Sequence, residues 1–185
     1  MAEYYLISQL PSLDGISENT PLPINEERFT ELCNRFLGKK AQEAMDKLAL
    51  IPPKNSECSG SLLIDAWNES ERSLRFALGK VRAEKMKKVF DTENRIFPVE
   101  YIKVASTATE IENPMEAEKY LNSYRLSILE TLRPMDSFSE DYIFYYGLKL
   151  KLLLRIRQFD TKNGEKAYKN IYDSILNGDS LEAKL

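Results

Sequence analysis

Between residues 140 and 159 the chain carries apolar side chains around almost the whole circumference of a helix. At about 100° per residue, the apolar positions leave only one narrow polar strip, at Lys151 and Arg155. A helix that is apolar on most sides needs packing partners on most sides, so the rest of the chain has to surround it. This segment therefore predicts a helical bundle with residues 140–159 at its centre.

The composition of the 185-residue chain favours the same fold. Glycine is scarce, at seven residues, and the abundance of good helix formers favours helix over turn-rich β architecture. Hydrophobic residues make up 43% and charged residues 30% of the chain, as in packed domains rather than disordered ones. We expect an all-α fold: an elongated bundle of about five to six helices in a single domain, residues 1–185.

Local capping signals place these helices. Asn25 can cap a helix that begins at Glu26. Asn113-Pro114-Met115-Glu116 combines an N-cap asparagine with proline at N1 and glutamate at N3, which is typical of a helix start. Ser139 caps the apolar helix in the same way. The predicted helices span residues 26–37, 41–49, 62–89, 114–132, 140–159 and 164–176, and the last should end at Asn177-Gly178 with Ala167, Tyr168, Ile171, Tyr172 and Ile175 facing inward.

Two stretches lack a clear helical pattern. Residues 4–7 form a short apolar leader element before the first turn. Segment 90–113 combines proline, β-branched and small residues with an excess of acid, and we predict a loop with at most one short element. If the domain is subdivided, the acidic loop 91–113 joins sub-units 1–90 and 114–185. A sequence echo between residues 74–78 and 150–154 would then reflect two related helical units.

The chain contains no histidine, and this removes several classes of enzyme. There is no imidazole metal ligand, no Ser-His or Cys-His pair, and no side chain whose ordinary pKa lies near neutrality. Cys33 and Cys58 do not have metal-ligand spacing, and we interpret both as free thiols. No glycine motif of the phosphate-binding type occurs. We expect no catalytic residues, no metal site and no cofactor.

Carboxylate chemistry stays open as an alternative. Glu69 and Glu71, or Glu110 and Glu112, are the obvious acidic pairs. Residues separated by i, i+2 do not share a helix face, so these pairs need not converge. A carboxylate-based enzyme would instead need a concave pocket that brings them together.

Two helical segments are locally basic although the net charge is −3. Residues 149–157 carry four cations and no acid, and residues 69–90 carry an excess of cations. A nucleic-acid-binding helical module that uses the basic 69–90 helix is therefore a second alternative. It would normally show a domain-wide positive footprint or a recognised motif, and neither is present, so a solvated face or a protein contact is the simpler interpretation.

Nothing in the sequence predicts membrane insertion. The N-terminus lacks the basic and apolar regions of a signal peptide. The most apolar run, residues 142–156, is interrupted by Lys149, Lys151 and Arg155, and it is shorter than the roughly 20 apolar residues that span a bilayer. We expect a cytoplasmic protein.

Three strings carry a family resemblance. They are Tyr4-Tyr5-Leu6-Ile7-Ser8-Gln9-Leu10-Pro11, then Trp67-Asn68-Glu69-Ser70-Glu71-Arg72-Ser73-Leu74-Arg75 followed by Lys80-Val81-Arg82-Ala83, and Leu148-Lys149-Leu150-Lys151 leading to Phe159-Asp160 and Gly164. With these strings the chain resembles a bacterial family of unknown function encoded beside V-type ATPase genes. That family is more distantly similar to the all-helical C-type subunit of V/A-type ATPases, whose eukaryotic counterpart is the d-type subunit.

The resemblance implies a non-catalytic role. The chain would be a subunit or accessory protein of a V-type ATP synthase that adapts the central stalk to the membrane ring, peripheral to the inner face of the membrane. Because the chain is shorter than the C-type subunit, a reduced coupler is expected rather than a three-unit funnel. The expected partner contacts are Arg72, Arg75, Arg82, Lys85 and Lys88.

Overall fold

The computed structural model describes residues 2–16, 20–54, 58–90, 98–158 and 161–182. Within these ranges all regular secondary structure is helical, which confirms the all-α class. The described part of the chain forms eight helices rather than five or six. They are α1 (Ala2–Gln9), α2 (Glu26–Phe36), α3 (Lys39–Asp46), α4 (Leu62–Lys85), α5 (Val99–Glu110), α6 (Pro114–Thr131), α7 (Glu140–Gln158) and α8 (Thr161–Glu182).

Three predicted helix starts are confirmed by their caps. The Asn25 side chain accepts a hydrogen bond from the backbone N–H of Arg28 at 2.9 Å, at the start of α2. The Asn113 side chain accepts one from Met115 at 2.9 Å, at the start of α6, and Ser139 Oγ accepts one from the Tyr142 N–H at 3.2 Å before α7. These starts were predictable because a cap is a contact between residues two or three apart.

The additional helices are α1 and α5. The leader element 4–7 lies within α1, and α5 corrects the loop predicted for residues 91–113, since residues 99–110 of it are helical. The valines, threonines and isoleucine of α5 have a lower helix propensity than alanine or leucine. Val104, Ala105 and Ala108 are nevertheless buried against the second half of α4. Burial on α4 therefore outweighs the weak local preference. Residues 91–97 lie outside the described residues.

The long helix α4 ends at Lys85, four residues before the predicted end at residue 89. Lys87 has φ of 53°, its N–H donates to Glu84 O at 3.1 Å, and the Lys88 N–H donates to Ala83 O at 2.9 Å. These two bonds and the left-handed residue form a Schellman motif, which turns the chain away from the helix axis. Val89, the last residue of the predicted helix, is fully exposed as a result.

The described residues form two hydrophobic clusters, and helix α7 lies at the centre of the larger one, as its composition predicted. Every residue from 143 to 150 is buried. The cluster draws residues from both sides of segment 91–113, including Phe29 and Trp67 before it and Leu129 after it. The packing at Gly147 leaves no room for a side chain, because a Cβ there would lie 2.8 Å from a methyl carbon of Leu48.

The smaller cluster lies between the second half of α4, α5 and the middle of α6. It contains Leu74, Leu78, Val104 and Leu121. Since Trp67 of α4 belongs to the larger cluster, α4 runs through both cores and connects them.

Helix α8 departs from the prediction at its ends and on its apolar face. It extends to Glu182, past the predicted end at Asn177-Gly178. Every described side chain from 164 to 175 is exposed, so the five residues expected to face inward do not. They are Ala167, Tyr168, Ile171, Tyr172 and Ile175. Periodicity predicted an apolar helix face, but it carries no information about what covers that face.

Candidate functional site

The C-terminal end of α4 presents a surface that is both basic and apolar. We call Arg82, Lys85, Met86, Lys88 and Val89 the α4 terminal patch. All five residues are exposed, and the Schellman turn at Lys87 directs Lys88 and Val89 away from the helix axis. Cations interleaved with exposed apolar side chains suit an acidic amphipathic partner segment.

The turn is held in place by an aromatic contact. The Phe90 ring lies against Gly79, where a Cβ would be 2.7 Å from the ring carbon Cζ, and it meets the Phe76 ring edge-on at a centroid distance of 6.3 Å. The residue after the patch is thus packed back on α4. The patch is therefore presented by a chain segment anchored at both ends.

The five predicted contact residues divide into two groups. Arg72 donates to Glu69 at 3.1 Å and to the carbonyl of Pro53 at 3.3 Å, and Arg75 forms a 2.8 Å ion pair with Glu71. Both of these arginines are engaged within the chain.

The other three predicted residues lie in the α4 terminal patch. Lys85 Nζ donates to the carbonyl of Thr109 at 2.5 Å, which links α4 to the end of α5. Arg82 and Lys88 are exposed. The structure thus brings Arg82, Lys85 and Lys88 to one end of α4, while Arg72 and Arg75 lie two or more turns away.

A buried ion-pair network links α4, α6 and α7, and sequence reasoning missed it. Arg125 of α6 donates two hydrogen bonds to the Glu71 carboxylate, from Nε to Oε2 at 3.0 Å and from Nη2 to Oε1 at 3.1 Å. The side chains are 7% and 2% exposed respectively. Arg125 also donates to Glu118 at 3.4 Å, and Arg155 of α7 donates to the same carboxylate at 2.7 Å.

One sequence signal could have revealed this network. Glu71 stands four residues after Trp67 and three before Leu74, so it occupies the apolar face of α4. A charge inside an apolar stripe needs a buried partner. The identity of that partner, Arg125, could not be read from the sequence because it lies 54 residues away.

A second ionic cluster joins the N-terminal segment to α6 and α7. Lys149 lies within the buried run of α7 and donates to Asp14 Oδ1 at 2.6 Å and to Glu130 Oε1 at 2.7 Å. The Tyr145 hydroxyl donates to the same Glu130 oxygen at 2.8 Å, and the Tyr146 hydroxyl donates to the carbonyl of Pro11 at 2.8 Å. These bonds fix residues 11–14 across the central helix.

The contacts shift the pKa values of the cluster in a consistent way. The hydrogen bond from Lys149 lowers the pKa of Asp14. Burial alone would raise the pKa of Glu130, but the bonds from Lys149 and Tyr145 bring it below its ordinary value. Burial alone would lower the pKa of Lys149, but its two carboxylate partners raise it. Burial and the bond to Glu130 raise the pKa of Tyr145 to about 12. The cluster is thus charged and paired at neutral pH.

The carboxylates considered for acid–base chemistry do not share one environment. Glu69, Glu110 and Glu112 are exposed. Glu71 is buried, but both of its oxygens are bonded to arginines. The structure therefore does not bring the four together in the way that the carboxylate alternative requires.

One cavity, of about 500 Å³, lies beside the start of α4. It is lined by Ala49, Ile51, Asn68 and two lysines, Lys47 and Lys54, among others. The buried Asn68 Oδ1 makes no hydrogen bond to the described protein.

Two further features concern metals and membranes. Among the described residues, no group of three or more carboxylates or cysteines is placed to hold a metal ion. Of the helices in the described ranges, none combines the length and apolar character needed to cross a bilayer. Cys33 is buried and Cys58 exposed, and both thiols are free, as predicted.

Residues 92–179 match a family model described as a protein of unknown function (DUF2764). The match covers just under half of the chain. It includes the string that begins at Leu148 but neither of the two earlier strings on which the resemblance was based. The family description names no activity or partner. Among curated proteins and among solved structures, no significant match to this chain was found.

Proposed function

We propose that this chain is a non-catalytic subunit or accessory protein of a V-type ATP synthase. In this role it would adapt the central stalk to the membrane ring, in the cytoplasm and peripheral to the inner face of the membrane. The sequence resemblance to a family encoded beside V-type ATPase genes motivates the proposal. The match to a family of unknown function over residues 92–179 is compatible with it.

The structural observation that supports an adaptor role is the α4 terminal patch. It combines the exposed cations Arg82 and Lys88 with Met86 and Val89, whose side chains are mostly or fully exposed. Large apolar groups give a docking surface its contact area, while charges around them select the partner and steer its approach. An acidic amphipathic helix of the central stalk has the matching chemistry.

The scaffold behind the patch suits a part that transmits force. The buried pair Glu71–Arg125 connects α4 to α6, and Arg155 extends the network to α7. Lys149 connects α7 to the N-terminal segment and to α6. These cross-links join helices that are distant in sequence, so a load applied at the end of α4 would be shared by the central helix.

The test is co-purification from cells that express the ATPase complex. A tagged chain should retain V-type ATPase subunits, and the variant Arg82→Glu/Lys88→Glu should reduce their yield about tenfold, equivalent to about 1.4 kcal/mol of binding. Lys39→Glu/Lys40→Glu is the matched control. It makes the same change of net charge at exposed positions on α3 and should leave the yield unchanged.

Two results would overturn the proposal. The first is a pull-down that contains the folded chain and none of the ATPase subunits. The second is equal loss in both double variants, which would assign the effect to net charge. The nucleic-acid alternative makes a different prediction, namely a gel shift whose log affinity falls linearly with log salt concentration.

A further inference from the structure

The exposed side of α8 carries a regular apolar stripe. Tyr168, Ile171, Tyr172 and Ile175 follow the spacing i, i+3, i+4, i+7, and each is more than half exposed. The two tyrosine rings stack on each other at a centroid distance of 6.1 Å, so they form one continuous aromatic surface within the stripe. An apolar stripe on an otherwise polar helix is typical of a helix that packs against another helix.

The stripe is symmetric about the middle of α8. The helix runs from Thr161 to Glu182, so its midpoint falls between Ile171 and Tyr172. A two-fold axis through that point pairs position 168 with 175 and position 171 with 172. Each tyrosine then faces an isoleucine of the other copy, and the two 22-residue helices overlap along their whole length, about 33 Å.

The charges of α8 are separated along the helix. The half from 161 to 171 holds three lysines and one glutamate, a formal charge of +2, whereas the half from 172 to 182 holds three acids and no cation, a charge of −3. This is the reverse of what stabilises an isolated helix, since the macrodipole favours anions at the N-terminus and cations at the C-terminus. No acid lies in the first turn and no base in the last. A partner of opposite polarity would compensate for this arrangement.

We propose that α8 pairs with α8 of a second copy of this chain in an antiparallel, two-fold arrangement. The positive half of each helix then lies beside the negative half of the other, and the stripe is complementary to itself, as an isologous interface requires. A parallel pair would place like charges together and each tyrosine against its own counterpart. One helix pair falls at the small end of specific interfaces, below about 1,200 Å² in total, so the dimer is weak and salt-sensitive.

The first experiment measures the association of the full chain. Sedimentation equilibrium should show a monomer–dimer equilibrium that weakens as salt is added. Ile171→Glu places a charge at the two-fold axis and should raise the dissociation constant at least tenfold. Asn170→Glu adds the same charge to the neighbouring position, on the opposite side of the helix, and should have a far smaller effect. Circular dichroism establishes that both variants retain their helix content.

The second experiment determines the orientation. In a Cys58→Ser background, which removes the exposed native thiol, single variants Tyr168→Cys and Ile175→Cys are oxidised separately and as a mixture. In the antiparallel pair the two positions face each other, within the short Cβ–Cβ distance that a disulfide needs. The mixture should therefore cross-link, and each variant alone should not.

Several results would overturn this inference. A chain that stays monomeric at all concentrations would do so, whether its stripe remains exposed or is covered by its own body. So would a dimer unaffected by Ile171→Glu, or efficient cross-linking of each cysteine variant with itself. If the wild-type chain does not self-associate and the Ile171→Glu variant no longer retains ATPase subunits in the pull-down, the stripe is a contact with those subunits instead. The α4 variants test the proposed function separately, because they leave α8 unchanged.

Discussion

Glu71→Gln should be among the most destabilising single-atom changes in this protein. Glutamine keeps the size of glutamate and one acceptor oxygen, but it leaves the guanidinium of Arg125 without its main counter-charge. Because the Arg125 side chain is 7% exposed and Glu71 is 2% exposed, water cannot replace the lost charge. Breaking a buried ion pair by removing one partner costs about 3–5 kcal/mol.

The contacts that Arg125 and Arg75 keep in the variant determine where the loss of stability falls within that range. Arg125 keeps Glu118 at 3.4 Å and Asn122 at 3.1 Å, so part of its charge stays compensated. Arg75 is 37% exposed and can be hydrated. We therefore expect the lower end, about 3 kcal/mol. With a urea dependence near 2 kcal/mol per molar, the midpoint should fall by about 1.5 M.

The chain contains a natural probe for this measurement. Trp67 is its one tryptophan, is buried in the larger cluster, and lies one helical turn before Glu71. Its fluorescence during urea unfolding at neutral pH reports the core around the ion pair. The matched control is Glu31→Gln, which removes the same charge from an exposed pair with Arg28 at 3.1 Å, with side chains 68% and 60% exposed.

The control should lose less than about 1 kcal/mol, because exposed ion pairs contribute little. A double variant, Glu71→Leu/Arg125→Met, should recover most of the loss, since a well-packed apolar pair can replace a buried ionic one. If Glu71→Gln shifts the midpoint no further than Glu31→Gln does, the idea that burial makes this pair costly to break is refuted.

Three further predictions concern packing, backbone conformation and pH. Gly147→Ala should destabilise the fold by about 1–3 kcal/mol through overpacking, as measured by urea titration. Gly164→Ala has open space around its Cβ and should instead increase the helix content of α8, as measured by circular dichroism. Lys87→Gly should raise the free energy of unfolding by up to about 1 kcal/mol, because glycine adopts positive φ without steric cost, and the urea midpoint should rise accordingly. A lower midpoint would contradict the Schellman assignment. The pKa values of Asp14 and Glu130 are lowered by folding. The stability that these two carboxylates contribute is therefore present above their unfolded pKa values of about 4 and is lost as the pH falls through the lower folded values. Urea titrations at pH 7 and pH 3 should show a modest decrease in the free energy of unfolding at the lower pH, since Asp14 is largely exposed.

What could be predicted from the sequence is what depends on neighbouring residues. The caps at Asn25 and Asn113 involve residues two or three apart, and the circumferential apolar pattern of α7 indicated its central position. Helix α5 was missed because its local preference is weak and its stability comes from contact with α4. That contact is a tertiary effect, which no window of sequence contains.

The candidate site shows the same limit. The sequence indicated a basic α4, but it could not separate Arg72 and Arg75, which are bonded within the chain, from Arg82 and Lys88, which are exposed. The distinction depends on Glu71 facing inward and on the turn at Lys87. It also depends on contacts with residues distant in sequence, such as the bond from Arg72 to the carbonyl of Pro53.

The central position of α7 has a consequence for how the protein is made. The hydroxyl of Tyr146 binds the carbonyl of Pro11, and these residues are 135 positions apart. At a translation rate of about 5–20 residues per second, the ribosome needs on the order of 10 s to synthesise the intervening chain. During this time Leu6, Phe29 and Leu32 lack the α7 residues with which they later share a hydrophobic cluster. The nascent N-terminal half therefore displays apolar surface of the kind that chaperones recognise, until the helix that completes its core has left the ribosome.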